Sequence, residues 1–245
     1  MNTSTRTAGI IIIGDEILSG KVHDCNSFYL ASELRKLGVS LMRISVIPDN
    51  TEVIGNETVD FSKQYDIVFT SGGVGPTHDD VTMEGIARGF AARLIRHPQI
   101  EEYFRLKYGD RLNRAMLKMA EVPEGADIIA FSDMSFPLVM YRNIFVFPGI
   151  PEYLKNKFSL IKERFRSSAF YLRRLFLNAN ESDIAEILNT IVAENRDVSF
   201  GSYPVLGNPE YQIIITAESK SEDAVSRSMD ELILRIPENI IVRVK

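Results

Sequence analysis

Residues 70–80, TSGGVGPTHDD, set Gly72, Gly73 and Gly75 just ahead of the adjacent carboxylates Asp79 and Asp80. Successive glycines let backbone N–H groups turn together toward an anion, and a helix starting behind them adds the positive end of its dipole. Such a loop suits a phosphate. A carboxylate beside a phosphate is repulsive unless a cation lies between them. Asp79 and Asp80, with Asp15 and Glu16 of the earlier segment GDEILSGKVHDCNS, are hard oxygen donors of the kind that hold Mg²⁺-like ions. The chemistry open to these residues is therefore the handling of a phosphate through a divalent cation.

Plainer roles stand beside that one. Thr77-x-x-Asp80 has the spacing of a capping box, Asp24 or Asn26 can cap the helix that follows, and Asp15 with Glu16 can form a solvated turn. Lys21 and His23 read as an exposed loop, His97 before Pro98 as surface, and Cys25, without a base nearby in the sequence, as a bystander. Two common nucleotide motifs fail. Five residues separate Gly14 from Gly20 and Val22 follows Lys21, so a P-loop would be one residue too long and would lack its magnesium-binding hydroxyl. The GGVG run does not fit G-x-G-x-x-G either.

The elements that must position these loops follow from apolar periodicity. AGIIII (8–13) is a nearly continuous apolar run ending at Gly14, as in a strand buried on both faces of a parallel sheet. Phe28, Leu30, Ala31, Leu34 and Leu37 recur at helical spacing up to Gly38. Residues 39–48 predict a strand, 51–63 a helix, and 65–70 a buried strand running into the glycine loop. This alternation predicts an α/β fold with a doubly wound, mainly parallel sheet. Helices are expected at 80–93 and 98–119, then short strands at 126–131, 136–141 and 143–147 as an antiparallel edge or a small flap, and a helix to about residue 166. From 173 onward the order β-α-β-β-α-β, with strands at 173–177, 198–204, 211–217 and 239–244 and helices at 181–194 and 221–235, predicts a second, smaller split-βαβ (α+β) domain. The expected domains are 1–168 and 169–245.

Bulk properties narrow the partners. The net charge of −5 argues against a general nucleic-acid surface and leaves room for a local anion pocket. A single cysteine rules out an internal disulfide and a cysteine-cluster metal site. The opening MNTSTRT lacks the apolar core of a signal peptide, and no stretch approaches the roughly 18 apolar residues of a membrane span. The cytoplasm is the expected compartment, with a mitochondrial form as the alternative.

GDEILSG (14–20), the D-x-N-S arrangement from Asp24 to Ser27, SGGVGPTHDDVT (71–82) and FPGIP (147–151) together resemble the molybdopterin-binding domain superfamily. Within it the likeness is strongest to the branch shared by CinA-type proteins and the N-terminal domain of eukaryotic FAD synthases. GSYP (201–204) and the split βαβ order resemble the companion region of that FAD-synthase domain, so the likeness covers nearly the whole chain. The superfamily's chemistry implies binding or adenylylation of molybdopterin; the branch implies metal-dependent hydrolysis of a nucleotide diphosphate linkage, in FAD or ADP-ribose. FAD cleavage to FMN and AMP is the leading expectation. A non-catalytic flavin- or pterin-nucleotide-binding regulatory domain, an ADP-ribose pyrophosphatase and a molybdopterin adenylyltransferase are the alternatives. The resemblance further implies a divalent cation (Mg²⁺, Mn²⁺ or Co²⁺), with K⁺ as a companion, and a homo-oligomer.

The resemblance assigns Asp79, Asp80 and Asp15 to metal and catalysis. It assigns Gly14, Glu16, Asn26, Ser71, Gly72, Gly73, Gly75, Pro76, Thr77 and Gly149 to the substrate. Neither the PAPS-reductase-like domain of eukaryotic FAD synthesis nor a CinA-type deamidase domain is evident, so a separate hydrolase or a domain of a larger protein is expected.

Overall fold

A computed structural model describes residues 6–131 and 136–245; the expectation drawn from the opening MNTSTRT rests largely on residues 1–5, which lie outside the described residues. The chain divides into two compact units, Met1–Ser167 and Ser168–Lys245. In the first, the chain runs through β1 (Thr7–Ile13), α1 (Asp15–Leu18), α2 (Asn26–Lys36), β2 (Ser40–Ile47), α3 (Thr51–Gln64), β3 (Ile67–Ser71), α4 (Thr82–Gly89) and β4 (Leu94–Arg96). It continues through α5 (Pro98–Tyr108), α6 (Arg114–Lys118), β5 (Glu121–Pro123), β6 (Asp127–Ile129), β7 (Leu138–Tyr141), β8 (Ile144–Phe147) and α7 (Pro151–Ile161).

A six-stranded sheet in the order β2-β1-β3-β8-β7-β6 forms the centre of this unit. β2, β1, β3 and β8 are parallel, while β7 and β6 add an antiparallel edge. The continuous apolar run of β1 is explained by helices on both sheet faces. Ile10 and Ile12 pack with Leu30, Leu34, Leu154 and Phe158 of α2 and α7, whereas Ile11 and Ile13 pack with Ile54, Phe61 and Ile86 of α3 and α4. Alternate residues of one strand thus feed two cores.

The tightest helix contact is between α3 and α4. A Cβ on Gly89 would lie 2.4 Å from the carbonyl oxygen of Gly55, and one on Gly55 would lie 2.9 Å from the carbonyl oxygen of Gly85. Backbone touches backbone here, and no side chain fits between.

Four expectations change in this unit, the first being that 143–147, expected with the two strands before it in an antiparallel edge or flap, forms β8 parallel to β3 inside the main sheet. The helix expected over 98–119 is broken: Gly109 takes φ +50 after α5, and Asn113 restarts the helix by accepting the Met116 N–H at 3.0 Å. The helix expected over 80–93 is shorter, beginning at Thr82 and ending before Ala91, whose φ of +52 turns the chain away. The segment after β1, read as a loop, contains the single turn α1. β4 and β5, unanticipated, pair as a separate antiparallel ribbon.

The second unit contains β9 (Tyr171–Leu177), α8 (Glu181–Glu194), β10 (Ser199–Pro204), β11 (Ile213–Ser219), α9 (Glu222–Arg235) and β12 (Ile241–Val244). Its antiparallel sheet has the order β10-β11-β9-β12 expected for a split βαβ arrangement. Leu175, Leu177, Ile213 and Ile215 meet Ile184, Ile191, Val225, Met229 and Leu232 of the two helices.

Gly89→Val is expected to destabilise the first unit by about 2–3 kcal/mol, because overpacking a closed backbone contact forces the helices apart. Denaturant unfolding followed by circular dichroism measures this; an unchanged midpoint would mean that α3 and α4 are free to separate.

Candidate functional site

The parallel strands end together. Ile13 of β1 is level with Ile47 of β2, Ile12 with Ser71 of β3, and Ser71 with Phe147 of β8. The segments beginning at Gly14, Pro48, Gly72 and Pro148 therefore leave the sheet along one edge. β1 lies between β2 and β3, so chain order reverses there, the place where open α/β sheets bind ligands.

At this edge Gly72 is held in a conformation that a side chain would forbid. Its φ is +113, and an added Cβ would lie 2.0 Å from the carbonyl oxygen of Ile13. Its N–H donates to the Phe147 carbonyl at 3.2 Å, so Gly72 brings the loop onto the ends of β1 and β8. The carbonyl oxygens of Gly72 and Gly73 accept from the Thr82 hydroxyl (2.9 Å) and the Thr82 N–H (3.0 Å), which fixes the loop to the first turn of α4. Among the described residues, no protein acceptor pairs with the N–H groups of Gly73, Val74 or Gly75. Those donors remain for an anion.

The stretch from Thr77 to Asp80 closes on itself. Asp80 accepts the Thr77 N–H at 2.8 Å, and the Thr77 hydroxyl lies 2.5 Å from Asp79 and 2.6 Å from Asp80. A single hydroxyl proton serves two carboxylates. The capping-box spacing thus stabilises a turn ahead of the helix, since α4 begins at Thr82 and Val81 supplies no side-chain cap. Lys118 of α6 donates to the Thr77 carbonyl from across the loop. The Asp79 carboxyl is held below its usual range, chiefly by the Thr77 hydroxyl, then by its own N–H, with His78 and Lys118 adding to the effect.

Asp49 was not singled out in the sequence. It follows β2 and accepts the Asp15 N–H at 2.9 Å, while a Cβ on Gly73 would lie 3.3 Å from its other oxygen. It therefore stands between the two loops. Burial raises its carboxyl above the ordinary range, the Asp15 N–H opposes the shift, and the charges of Asp15, Glu16 and Asp79 raise it further. The available signal was positional: Pro48-Asp49-Asn50 ends a strand at the same sheet edge as the two suspected loops. Asn50 then caps α3, accepting the N–H groups of Glu52 and Val53 at 2.9 and 3.1 Å.

The remaining expected residues also have defined places. Glu16 folds back so that its carboxylate would lie 2.6 Å from a Cβ on Gly14. Asn26 is buried and donates to the Ser71 hydroxyl at 3.0 Å and to the Gly149 carbonyl at 2.7 Å, tying three loops together. Its own amide oxygen has no partner among the described residues, and the residue lines a cavity of about 70 Å³ that also touches Glu16, Asp24 and Cys25. Asp24 caps α2, taking the N–H groups of Asn26 and Ser27 at 2.9 and 3.2 Å.

Beside the glycine loop opens a cleft of about 950 Å³. Glu16, Gly73, Gly75, Pro76, Asp80 and Gly149 border it, and apolar side chains of α4, α5 and α6 continue it. Among the described residues no three of His, Cys, Asp and Glu gather to hold a metal between them, so Asp15, Asp79 and Asp80 do not form one ligand set. The donor set fits a cation of the magnesium type, which takes one or two carboxylates and completes its shell with phosphate and water oxygens.

Asp49 gives a stability prediction. The folded state holds this proton more tightly than the unfolded chain, so stability falls as pH rises from the ordinary aspartate range through the raised folded value. Asp49→Asn keeps an acceptor for the Asp15 N–H and removes the charge. It is expected to melt higher than the parent at pH 7, with the gain disappearing in acid below the ordinary aspartate range. A variant that melts lower at pH 7 would show that the carboxylate is compensated in the folded protein.

The fold agrees with comparisons to known proteins. Residues 9–167 match the family model described as Probable molybdopterin binding domain, and residues 169–245 match FAD synthase, middle domain. A protein of Archaeoglobus fulgidus is 34% identical, with 91% of this chain and 94% of that protein covered. A probable FAD synthase of Caenorhabditis elegans is 33% identical over 93% of this chain; the chain spans 50% of that protein's length. Among solved structures, the protein CinA of Thermoplasma acidophilum, described as of unknown function, has a TM-score of 0.61 and 26% identity, covering 66% of this chain and 98% of that one. Among the described residues no helix is long and apolar enough to cross a membrane. With the glycine loop, the Asp49 junction and the parallel sheet in place, the chain belongs to the probable molybdopterin-binding domain family, carrying in addition a region like the middle domain of FAD synthase.

Proposed function

We propose that this chain binds a flavin- or pterin-type nucleotide and hydrolyses its diphosphate linkage, with FAD cleaved to FMN and AMP. The observation that carries the reading is that the loop N–H groups of Gly73, Val74 and Gly75, which have no acceptor among the described residues, border a cleft large enough for a nucleotide while the half-buried Asp49 carboxylate lies against Gly73. The relationship to FAD synthase supports a flavin nucleotide as the ligand.

In this reading the loop N–H groups receive phosphate oxygens, and Lys118 braces the loop through the Thr77 carbonyl. Asp49, whose carboxyl burial raises above its ordinary range, accepts a proton from the attacking water. The water oxygen bonds to one phosphorus, the bridging P–O bond breaks, and the departing phosphate leaves with the bridging oxygen. Asp79 and Asp15 are the two carboxylates that would hold a divalent cation together with the phosphate oxygens. When bound, such an ion neutralises charge on the diphosphate and acidifies water.

A non-catalytic nucleotide-binding role is the second reading. It is favoured by the tying of both Asp79 and Asp80 to Thr77 and by the lack of a three-ligand set among the described residues. Incubation with FAD, ADP-ribose or NADH and Mg²⁺, Mn²⁺ or Co²⁺, with chromatography for AMP, separates the two. AMP release from FAD, lost on replacing Asp79 and Asp80 together by alanine and reduced at least a hundredfold in Asp49→Asn, is expected on the scale of losing a catalytic base, about 10²–10⁴-fold. Full activity in the double variant would sink the assignment, and binding without turnover under every metal would establish the second reading.

A further inference from the structure

The cleft has two chemically different ends. The glycine loop forms one. Beyond it the walls are Met83 of α4, Tyr103 and Phe104 of α5, Met116 of α6, Met119 just after that helix, and Phe136. Tyr103 meets Phe136 edge to face, with centroids 5.5 Å apart at 81°, and Phe104 meets Phe136 at 5.4 Å. Aromatic edges and polarisable thioethers suit the faces of a flat heteroaromatic ring.

At this end Lys107 donates from Nζ to the Tyr103 hydroxyl at 2.6 Å and lies 5.1 and 5.7 Å from the Tyr103 and Tyr108 ring centres. The ammonium has three donors and no acceptor. A ring carrying carbonyl oxygens along one edge complements it. An adenine presenting its exocyclic amine would set donor against donor.

We infer that the α5–α6 end of the cleft is a subsite for the isoalloxazine ring of a flavin, with Met116 and Tyr103 packing on the ring and Lys107 facing its two-carbonyl edge. The inference rests on the nucleotide reading of the same cleft and adds its specificity. The glycine loop takes phosphate common to all dinucleotides, and the α5–α6 region selects flavin over ribose-terminated diphosphates. The broken helix acquires a reason: the turn at Gly109 lets α5 and α6 present Tyr103 and Met116 to one cavity.

Riboflavin, which has the ring and no phosphate, is the probe. Titration of its fluorescence with the full chain is expected to show saturable binding. Met116→Trp, which fills the subsite, and Lys107→Met, which removes the donors at an exposed position, are each expected to weaken binding about tenfold or more and to shift the ratio of FAD to ADP-ribose turnover by a similar factor. Thermal melting confirms that each variant is folded, and Lys107→Met carries the test if Met116→Trp is not. Riboflavin binding equal to the parent in the folded variants, or none by the parent, overturns the subsite. Parent protein that releases AMP from ADP-ribose without binding riboflavin would overturn the subsite and leave the hydrolase reading standing. Riboflavin binding without AMP from any substrate would do the reverse.

Discussion

The backbone contact between α3 and α4 at Gly55, Gly85 and Gly89 is the constraint on which the site's geometry depends. α3 begins two residues after Asp49, and α4 begins at Thr82, whose hydroxyl and N–H hold the carbonyls of Gly72 and Gly73. Bringing these helices into backbone contact brings their N-terminal ends together. The loops ahead of them are then set so that Asp49 lies against Gly73. A side chain in this seam would act on the site from a distance, because the helices transmit its displacement as rigid bodies.

That geometry places like charges side by side. Asp49 is half-buried, bonded to the Asp15 N–H and surrounded by Asp15, Glu16 and Asp79. An arrangement in which ionisation is disfavoured lowers stability at neutral pH, and such arrangements cluster where a protein does chemistry. The neighbouring turn shows the contrast. Asp79 and Asp80 share the Thr77 hydroxyl and are satisfied locally. The acids that caught attention in the sequence therefore shape the loop, while the one that did not is electrostatically unsettled.

Legibility followed periodicity. β1, β3 and β8 are short, mostly apolar runs with glycine or proline behind them, and both they and the α/β class were readable because burial on two sheet faces leaves few polar positions, the buried Thr70 and Ser71 at the end of β3 among them. The split βαβ order was readable for the same reason, each element having an unambiguous period. The break at Gly109 was not, since residues 98–119 keep a helical pattern while a glycine and the Asn113 cap divide it. Gly72 was recognisable as loop-forming. Its actual task, clearing the Ile13 carbonyl while giving its own N–H to Phe147, depends on strands distant in sequence. Asp49 was missed because one aspartate in a Pro-Asp-Asn turn carries no local mark; only strand order puts it beside the glycine loop.

In the proposed site a phosphate is held by the loop N–H groups, with carboxylates of the neighbouring loops on its far side. A crystal structure with AMP or FMN and Mn²⁺, using the anomalous signal of manganese to locate the ion, tests it most directly. Phosphate oxygens are expected on the N–H groups of Gly73 to Gly75, and manganese between that phosphate and the carboxylates of Asp79 and Asp15. Nucleotide bound elsewhere, or phosphate in the loop with manganese remote from both carboxylates, would contradict it.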